Sequence, residues 1–546
     1  MVSQIKKIGM ISLGFLPILL FINLPNFNKF VNSLWPPQSV DIKTKPIQDA
    51  IVSIKPTPKP PATENFDVVV YGDELPGICA AIWAKKTLGN KGKVALVRSH
   101  KSHEMLGGLL TRGGLAYLDF DKTPFWYSQP YSQCFRTFLK KANVQASCVE
   151  PNAADKALKK MLAEGNIKLI SDAKVKPYLA EQKIQYLEIP QKHLHLKAHS
   201  FIDATQDAEL ARKSGLSYYR GYESQDPKLK NETLSVSVIP TIQGLNVSDI
   251  ARVEGNILQS DDMMSIIEKR IWRQEDPKSA KFWLNNFWRP IYKAYYDGYY
   301  IRSVALGATY HFSHKVPFDT DGFFFDKANI CAIGDNAVSW NGFLFKYPVE
   351  TLIKMEETGK KPTPEMEKKM ASLQEWLQRL SGKKIKFVMP QELYIRHSLN
   401  IKDVVDPLTG QEIMKGGTSP EQSIGTFSYE FDLRGGVKGL SLKNPPLPVY
   451  NFGIENALAS KIKNLAIVGR SSGYVGIAVS VGRILTVNIY QGQGIGVAAA
   501  IASQSRISLN RVTSKDVREK LENLTGRRTR FYGRDTSQGV NYSDIK

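Results

Sequence analysis

The sequence predicts an α/β fold in which helices flank a parallel sheet, with an inserted domain and an apolar segment ahead of the sheet. Residues 66–71 form a β-branched run typical of parallel strands that are buried on both faces. A glycine-containing turn, an alanine-rich helical stretch and a second apolar run, residues 93–97, follow directly. At 546 residues the chain is too long for one core of ordinary size, so we expect more than one domain.

Composition excludes several classes of protein. Hydrophobic residues make up 42% of the chain, which rules out a wholly disordered protein. The 73 Lys and Arg residues outnumber the 52 Asp and Glu residues, and the resulting net charge of +21 favours anionic partners such as lipid headgroups or acidic polymers. This charge is spread along the chain without a recognition motif, so we expect no nucleic-acid partner.

The four cysteines are too few for a disulfide scaffold. Their spacing is not that of a zinc site, and no metal is expected. One alternative is a bridge between Cys134 and Cys148, if the folded body is exported. The other alternative is ordinary buried thiols, and this is the one we expect.

Residues 1–30 have the pattern of a signal peptide or a membrane anchor. Lys6 and Lys7 precede an uncharged run, residues 8–28, and no clear cleavage site of small residues follows it. The positive-inside rule puts the N-terminus in the cytoplasm and the folded body across the membrane. We therefore predict a membrane-anchored or exported chain with an extracytoplasmic body. Residues 31–65, rich in proline and lysine, form a linker.

The turn after the first strand has most features of a dinucleotide site. Gly72 and Gly77 lie in a strand–turn–helix unit that would aim the free N–H groups of the helix at a pyrophosphate. A full fingerprint would have a third glycine where this chain has Glu74, whose carboxylate repels a diphosphate. Arg98 follows the second strand, where an acidic residue would bind a ribose hydroxyl. The sequence therefore predicts the βαβ unit, but Glu74 and Arg98 differ from the fingerprint at the two positions that would contact the nucleotide.

Segments further along the chain resemble those of FAD-dependent oxidoreductases of the glutathione-reductase-like fold. Residues 104–117 are similar to the double-glycine stretch of that family, and residues 201–211 to its DATGDGDLA stretch. Residues 464–470 and 492–500 are similar to its terminal strand and its GQAAGVAAA helix. Two further motifs occur in the family's order. Arg396 follows an apolar strand, as an Arg does in members of the family, and Ser423, Gly425 and Asp432 are similar to its serine-glycine-to-aspartate stretch.

The resemblance implies a Rossmann-like FAD-binding domain with FAD as the cofactor. The first βαβ unit would hold the ADP half, and a helix expected to begin near Gly492 would aim its positive end at the flavin. The residues implied to contact the cofactor are Gly72, Asp73, Glu74, Gly77, Arg98, Gly107, Gly108, Asp203, Ala204, Thr205, Gly469, Gln493 and Gly494.

Three residues are implied as catalytic by the same resemblance, namely Arg396, Asp432 and Arg470. An arginine near the flavin ring could orient a substrate carboxylate or stabilise the reduced flavin. A salt bridge between domains is the alternative role for each of them.

The resemblance also divides the folded body. Residues 66–216 would be the first part of the FAD-binding domain and residues 426–505 its return segment. Residues 217–425 would form the inserted substrate domain, and residues 506–546 a basic C-terminal tail. Within the insertion, the aromatic-rich residues 283–300 could line a sugar- or ring-binding cleft, although a packed helical core is the alternative we favour.

These observations predict an FAD-dependent oxidoreductase that transfers hydride between its flavin and an unidentified, anionic or carbohydrate-like substrate. The partner would be a small molecule or an acidic polymer, with the membrane contacted through the N-terminal segment. The alternative is a membrane-tethered binding protein on a degenerate flavoprotein scaffold, which Glu74 and Arg98 favour. The sequence has no G-x-S-x-G, H-E-x-x-H or P-loop pattern, so hydrolase and ATPase functions lack support.

Overall fold

The computed structural model describes residues 60–261, 297–303, 305–316, 322–440 and 446–538. The predicted apolar segment, residues 1–30, and most of the aromatic-rich stretch lie outside these ranges. Within them, no single helix is both long and apolar enough to cross a membrane, and one sharply bent pair, Gly476–Gly482 with Leu485–Ser505, meets the length and composition requirement together.

In the described ranges, α-helices separate some of the strands, and other strands follow one another directly. In chain order the strands are β1 (Ala62–Tyr71), β2 (Val94–Val97), β3 (Lys168–Ile170), β4 (Lys176–Ala180), β5 (Lys183–Ile189), β6 (Leu194–Asp203), β7 (Tyr218–Arg220), β8 (Val236–Val238), β9 (Thr241–Gln243), β10 (Tyr300–Ser303), β11 (Phe323–Ala332), β12 (Ala337–Phe345), β13 (Lys386–Val388), β14 (Leu399–Ile401), β15 (Leu408–Thr409), β16 (Gly425–Ser428), β17 (Val449–Phe452), β18 (Leu465–Ile467) and β19 (Tyr474–Val475). The helices are α1 (Leu75–Leu88), α2 (Gln133–Lys141), α3 (Pro151–Glu164), α4 (Glu209–Lys213), α5 (Val247–Gln259), α6 (Ala305–Ser313), α7 (Val349–Glu357), α8 (Pro364–Ser381), α9 (Gly410–Met414), α10 (Val479–Gly482), α11 (Leu485–Ser505) and α12 (Ser514–Thr525).

The larger sheet has the order β3-β2-β1-β6-β5-β4, and β18 also pairs with β6. Strands β1, β2, β3, β6 and β18 are parallel, whereas β4, β5 and β6 form an antiparallel meander. Val68, Val69 and Val70 have no exposed surface, as expected for a strand covered on both faces. The predicted α/β fold with a parallel sheet is confirmed, and its first strand begins at Ala62 rather than at residue 66.

The backbones of α1 and α11 are in direct contact. A Cβ at Gly492 would lie 2.3 Å from the Pro76 carbonyl oxygen, and one at Gly496 would lie 2.1 Å from that of Ala80, so no larger residue fits at either position. Helix α11 begins at Leu485. The prediction that it begins near Gly492 is wrong, because the residues before Gly492 are also buried and helical.

Six further strands form an antiparallel sheet from residues that lie within the predicted insertion. Its order is β10-β11-β12-β9-β13, and β8 also pairs with β12. Ile250 of α5, Tyr310 of α6 and Trp376 of α8 share a buried cluster with Trp340 of β12. These strands and helices therefore enclose a hydrophobic cluster of their own.

All four cysteines are paired in disulfides. Cys79 of α1 is bonded to Cys134 of α2, and Cys148, ahead of α3, is bonded to Cys331 of β11. The expected free thiols and the alternative Cys134–Cys148 bridge are therefore both wrong. The second bridge joins segments 183 residues apart and ties the second sheet to the chain segment that precedes α3.

Candidate active site

The carboxyl ends of β1 and β6 meet at two tight turns. Tyr71 pairs with Asp203 in the sheet, and Gly72 follows Tyr71 with a φ of +120°. A Cβ at Gly72 would lie 2.3 Å from the backbone of Ala204, and one at Gly77 would lie 2.7 Å from the Ala204 Cβ, so glycine is required at both. The structure thus brings these predicted site residues together at the sheet edge where α/β proteins bind ligands.

Asp203 organises the loop after β6. Its buried carboxylate accepts hydrogen bonds from the backbone N–H groups of Thr205 and Ala211 at 3.1 and 2.8 Å, and from the Thr205 hydroxyl at 2.7 Å. Burial raises the pKa of Asp203 to about 7, although these hydrogen bonds lower it. Asp203 and Thr205 therefore fix the loop that holds Ala204 against Gly72.

The stretch at Gly107 and Gly108 lies against the turn after β1. The Gly107 N–H donates to the Asp73 carbonyl oxygen at 3.0 Å, and the two glycines have φ angles of +104° and +50°. A Cβ at Gly108 would lie 2.4 Å from Cγ of Glu74. The Glu74 side chain therefore covers Gly108.

Glu74 is the N-cap residue of α1, but its carboxylate does not cap the helix. It pairs with Arg470 instead, through two oxygen–nitrogen contacts of 3.3 Å, and each side chain is 7% exposed. Arg470 follows β18, and Gly469 before it has a φ of +124° and lies against the side chain of Gln206. This ion pair joins the turn after β1 to the carboxyl end of β18.

Arg98 is buried, and each nitrogen of its guanidinium donates a hydrogen bond to a protein oxygen. It pairs with Asp73 at 3.1 Å and donates to the Ser171 hydroxyl at 2.9 Å. Its remaining hydrogen bonds go to carbonyl oxygens in residues 101–105. The described contacts of Arg98 therefore hold this loop, and its predicted contact with a nucleotide stays a prediction.

Asp73 is shared by two arginines. Besides Arg98, it binds Arg112 through both carboxylate oxygens at 2.8 and 2.9 Å, and Arg112 donates to Glu392 at 2.6 Å. His100 binds Glu392 at 2.7 Å. The sequence indicated Asp73 but not Arg112 or Glu392, because these two residues are 280 positions apart and no local pattern relates them.

Both carboxylates of this network are held ionised. Burial raises the pKa of Asp73, but the Arg112 guanidinium outweighs that effect, and the pKa lies below its usual range. Burial also raises the pKa of Glu392, and the hydrogen bond from His100 together with the charges of Lys360 and Arg112 brings it well below its usual range. Protein groups therefore neutralise one another at this edge of the sheet.

A second cluster of charged side chains surrounds Tyr394. The guanidinium carbons of Arg396 and Arg470 lie 4.4 and 5.7 Å from the centre of its ring. Arg483 donates to the Tyr394 hydroxyl at 3.3 Å and pairs with Asp432 at 2.6 Å. The three predicted catalytic residues are thus linked through Tyr394 and Arg483, to which the sequence assigned no role.

Arg396 is buried with no carboxylate within ion-pair distance in the part of the chain that the structure describes. Its Nη atoms donate to the Ser235 carbonyl oxygen at 2.7 Å and the Ser237 hydroxyl at 2.8 Å, and its Nε has no acceptor there. Burial lowers the pKa of Arg396 to about 10, and the positive charges of Arg483 and Arg434 contribute in the same direction. Arg396 therefore adds to the cluster around Tyr394 a positive charge that no carboxylate among the described residues pairs with.

Gln493 and Gly494 lie inside α11 rather than at its N-terminus. The Gln493 amide accepts from the Cys134 N–H and donates to the Pro130 carbonyl oxygen, both at 2.8 Å. A Cβ at Gly494 would lie 2.6 Å from the side chain of Ile424. Both residues take part in helix packing, and their predicted position at the start of the helix is wrong. Their predicted contact with a flavin stays a prediction.

The backbone at the edge of the larger sheet fits FAD. The close approach at Gly72 and Gly77, the uncapped N-terminus of α1 and the left-handed Gly107 and Gly108 are features that suit a dinucleotide pyrophosphate. Glu74 does not suit a pyrophosphate, because it adds a negative charge at the N-terminus of α1. The backbone therefore suits the cofactor, and Glu74 is the residue that departs from the pattern.

Comparisons with known proteins identify the family to which the chain belongs. A model of the family described as FAD dependent oxidoreductase matches residues 67–521, which confirms the predicted resemblance and FAD as the cofactor. No curated protein matches the chain. Among solved structures it is similar to the myxobacterial chondrochloren halogenase CndH (9% identity, 85% of this chain and 79% of that chain, TM-score 0.37) and to p-nitrophenol 4-monooxygenase PnpA from Pseudomonas putida DLL-E4 (10% identity, 85% and 90%, TM-score 0.38). These likenesses are too weak to indicate a reaction or a substrate.

Replacing Asp73 by Asn is expected to lower the free energy of unfolding at neutral pH by about 3–5 kcal/mol, because Arg98 and Arg112 would stay buried without their shared carboxylate. A carboxyl group whose pKa is lowered by folding contributes stability above the pKa of the unfolded chain, about 4, and loses it as the pH falls further. The difference between wild type and D73N, measured by denaturant unfolding, should therefore shrink below about pH 4.

The matched control for this experiment is Glu181→Gln, at an exposed position, which should leave the free energy of unfolding unchanged. A D73N deficit that is absent at neutral pH, or that stays constant as the pH falls from about 7 to about 3, would contradict the role given to Asp73.

Proposed function

The chain belongs to the FAD-dependent oxidoreductase family, and on that premise we propose that it transfers hydride between a small anionic substrate and FAD. When bound, FAD supplies the two-electron redox chemistry, while the protein binds, orients and shields the substrate. The arginines around Tyr394 are the observation that supports an anionic substrate.

Arg396 is the residue on which the substrate class depends. A guanidinium that is buried without a carboxylate is costly, and a ligand that supplies the negative charge removes this cost. The Nε of Arg396 has no acceptor among the described residues. A planar guanidinium can bind a carboxylate through two parallel hydrogen bonds. We therefore infer that a substrate carboxylate binds Arg396.

The neighbours of Arg396 would position the anion and keep it from water. Arg483 also has an Nε without an acceptor in the described ranges, and Asp432 and the Tyr394 hydroxyl hold its other nitrogens. Arg396, Arg483 and Tyr394 are each at most 5% exposed. Burial strengthens each charge interaction, because the surroundings are less polarisable than water. Arg396 and Arg483 would bind the substrate, and Asp432 and Tyr394 would hold Arg483 in place.

The substrate class can be tested by anaerobic reduction of the FAD-loaded full-length chain. Flavin absorbance near about 450 nm is followed with matched pairs of small donors that do or do not carry a carboxylate. We expect reduction by donors that carry a carboxylate, and a rate lowered about 100-fold in R396A at low donor concentration, since one partner of a buried charge pair is lost.

The control for R396A is Arg220→Ala, which removes an exposed arginine paired with Glu350 and should leave the rate unchanged. Neutral donors that reduce the flavin as fast as their carboxylate counterparts, or an R396A rate equal to that of wild type, would overturn the proposed substrate class.

A membrane-tethered binding protein without catalysis is the second candidate function. The buried Glu74–Arg470 pair and the fully occupied Arg98 favour it, because they use up positions where nucleotide contacts are expected. The visible spectrum of the purified full-length chain distinguishes the two candidates. Bands near about 370 and 450 nm support the oxidoreductase, whereas a chain that stays colourless after incubation with excess FAD supports the binding protein.

We further propose that the folded body lies in an oxidising compartment outside the cytoplasm. Both disulfides join segments that are distant in the chain, and such bonds persist in exported proteins but are rare in the cytosol. Residues 1–30, which lie outside the described ranges, would tether the body to a membrane.

Thiol labelling tests the proposed compartment. The chain is isolated from its native cells in the presence of a thiol-blocking reagent, then reduced and labelled a second time. We expect its four cysteines to take up label only after reduction. Labelling of all four before reduction would place the body in a reducing compartment and contradict the proposal.

A further inference from the structure

We propose that the Glu74–Arg470 ion pair takes the place of the FAD pyrophosphate in the cofactor-free chain, so that FAD binds only by displacing the Glu74 carboxylate. This inference rests on the proposed function in one respect, because it takes FAD as the ligand of the turn after β1. It goes further by naming a residue of this chain that opposes the cofactor.

Glu74 places a negative charge at the helix end where a dinucleotide site binds the negatively charged pyrophosphate. It is the N-cap residue of α1, and the N-terminus of a helix attracts anions through its free N–H groups and its dipole. In dinucleotide sites of this type, the pyrophosphate lies at that helix end. The Glu74 carboxylate and the pyrophosphate are therefore anions that compete for one position.

Glu74 also fills the room that the cofactor would need. The second glycine of the dinucleotide fingerprint is small so that the backbone can approach the pyrophosphate closely. Here the Glu74 side chain covers Gly108, with Cγ and Cδ only 2.4 and 3.0 Å from the position of a Cβ there, and it is almost fully buried. The side chain must move before a phosphate can contact this part of the backbone.

Arg470 makes the arrangement stable without a cofactor. Its side chain is 7% exposed, and Glu74 is the carboxylate within ion-pair distance of it in the described ranges. Removing one partner of a buried ion pair leaves an uncompensated charge, which is strongly destabilising. The phosphates of FAD carry the negative charge that could replace the carboxylate, so the cation would be neutralised in both states.

Lys360 carries a positive charge that interacts with Glu392 first and with Glu74 to a smaller extent. Burial lowers the pKa of Lys360, but Glu392 and Glu74 raise it by more, so the ammonium stays charged near Glu74. Displacement of Glu74 would leave the Arg470 guanidinium to interact with an anion. The turn after β1 is therefore suited to a phosphate once Glu74 has moved.

The proposal is tested by titrating FAD into the full-length wild type, E74A and E74Q, with binding followed by flavin fluorescence and by calorimetry. We expect E74A to bind FAD about 10- to 100-fold more tightly than wild type, and E74Q to lie between them because it loses the charge but keeps the bulk. Without FAD, E74A should melt at a lower temperature than wild type, and FAD should raise its melting temperature by more.

The matched control is Asp403→Ala, which removes an ion pair with Lys461 and a hydrogen bond from the Ser217 N–H. Among the described residues Asp403 has no hydrogen bond or ion pair with the turn after β1, so the variant should leave FAD affinity unchanged. If wild type binds FAD as tightly as E74A and E74Q do, the inference is overturned while the proposed function stands. If neither wild type nor either variant binds FAD, both the inference and the proposed oxidoreductase activity are overturned. If E74A does not fold, E74Q alone decides between these outcomes.

Discussion

Buried charges at the carboxyl ends of the parallel strands have to be neutralised by other protein groups, and this constraint organises the whole sheet edge. Asp73 is held between Arg98 and Arg112, and Glu74 is held by Arg470. Each of these charges would be costly if left alone in the protein interior. Since the pairs join the turn after β1 to β18 and to the loop after β2, the edge is stable through protein contacts before any cofactor binds.

Arg470 connects the two halves of the candidate site. Its guanidinium pairs with Glu74 on the cofactor side and lies 5.7 Å from the centre of the Tyr394 ring on the substrate side. Arg396 and Arg483 contact the same tyrosine. Movement of Glu74 would therefore change the charge beside the arginines to which we assign the substrate. In this way cofactor binding and anion binding would be coupled through one side chain.

The sequence predicted those features that depend on local chain geometry. The strand β1, the turn at Gly72 and its helix follow from residues that are adjacent in the chain, and the motifs that point to Arg396 and Arg470 are also local. Pairings between distant segments were not predictable, since Arg98 binds a loop that folds back on it and Glu392 comes from another part of the chain. The disulfides and the start of α11 could not be predicted from the sequence for the same reason, because burial and cysteine pairing are set by the tertiary fold.

The position of the Glu74 carboxylate with FAD bound is the most direct measure of how this site works. Crystal structures of the full-length chain with and without FAD would give it. Without FAD, Glu74 and Arg470 should be in contact, as in the 3.3 Å pair described above. With FAD bound, we expect the two side chains to separate and Arg470 to contact a phosphate. FAD bound with the Glu74–Arg470 pair intact would contradict the displacement of Glu74.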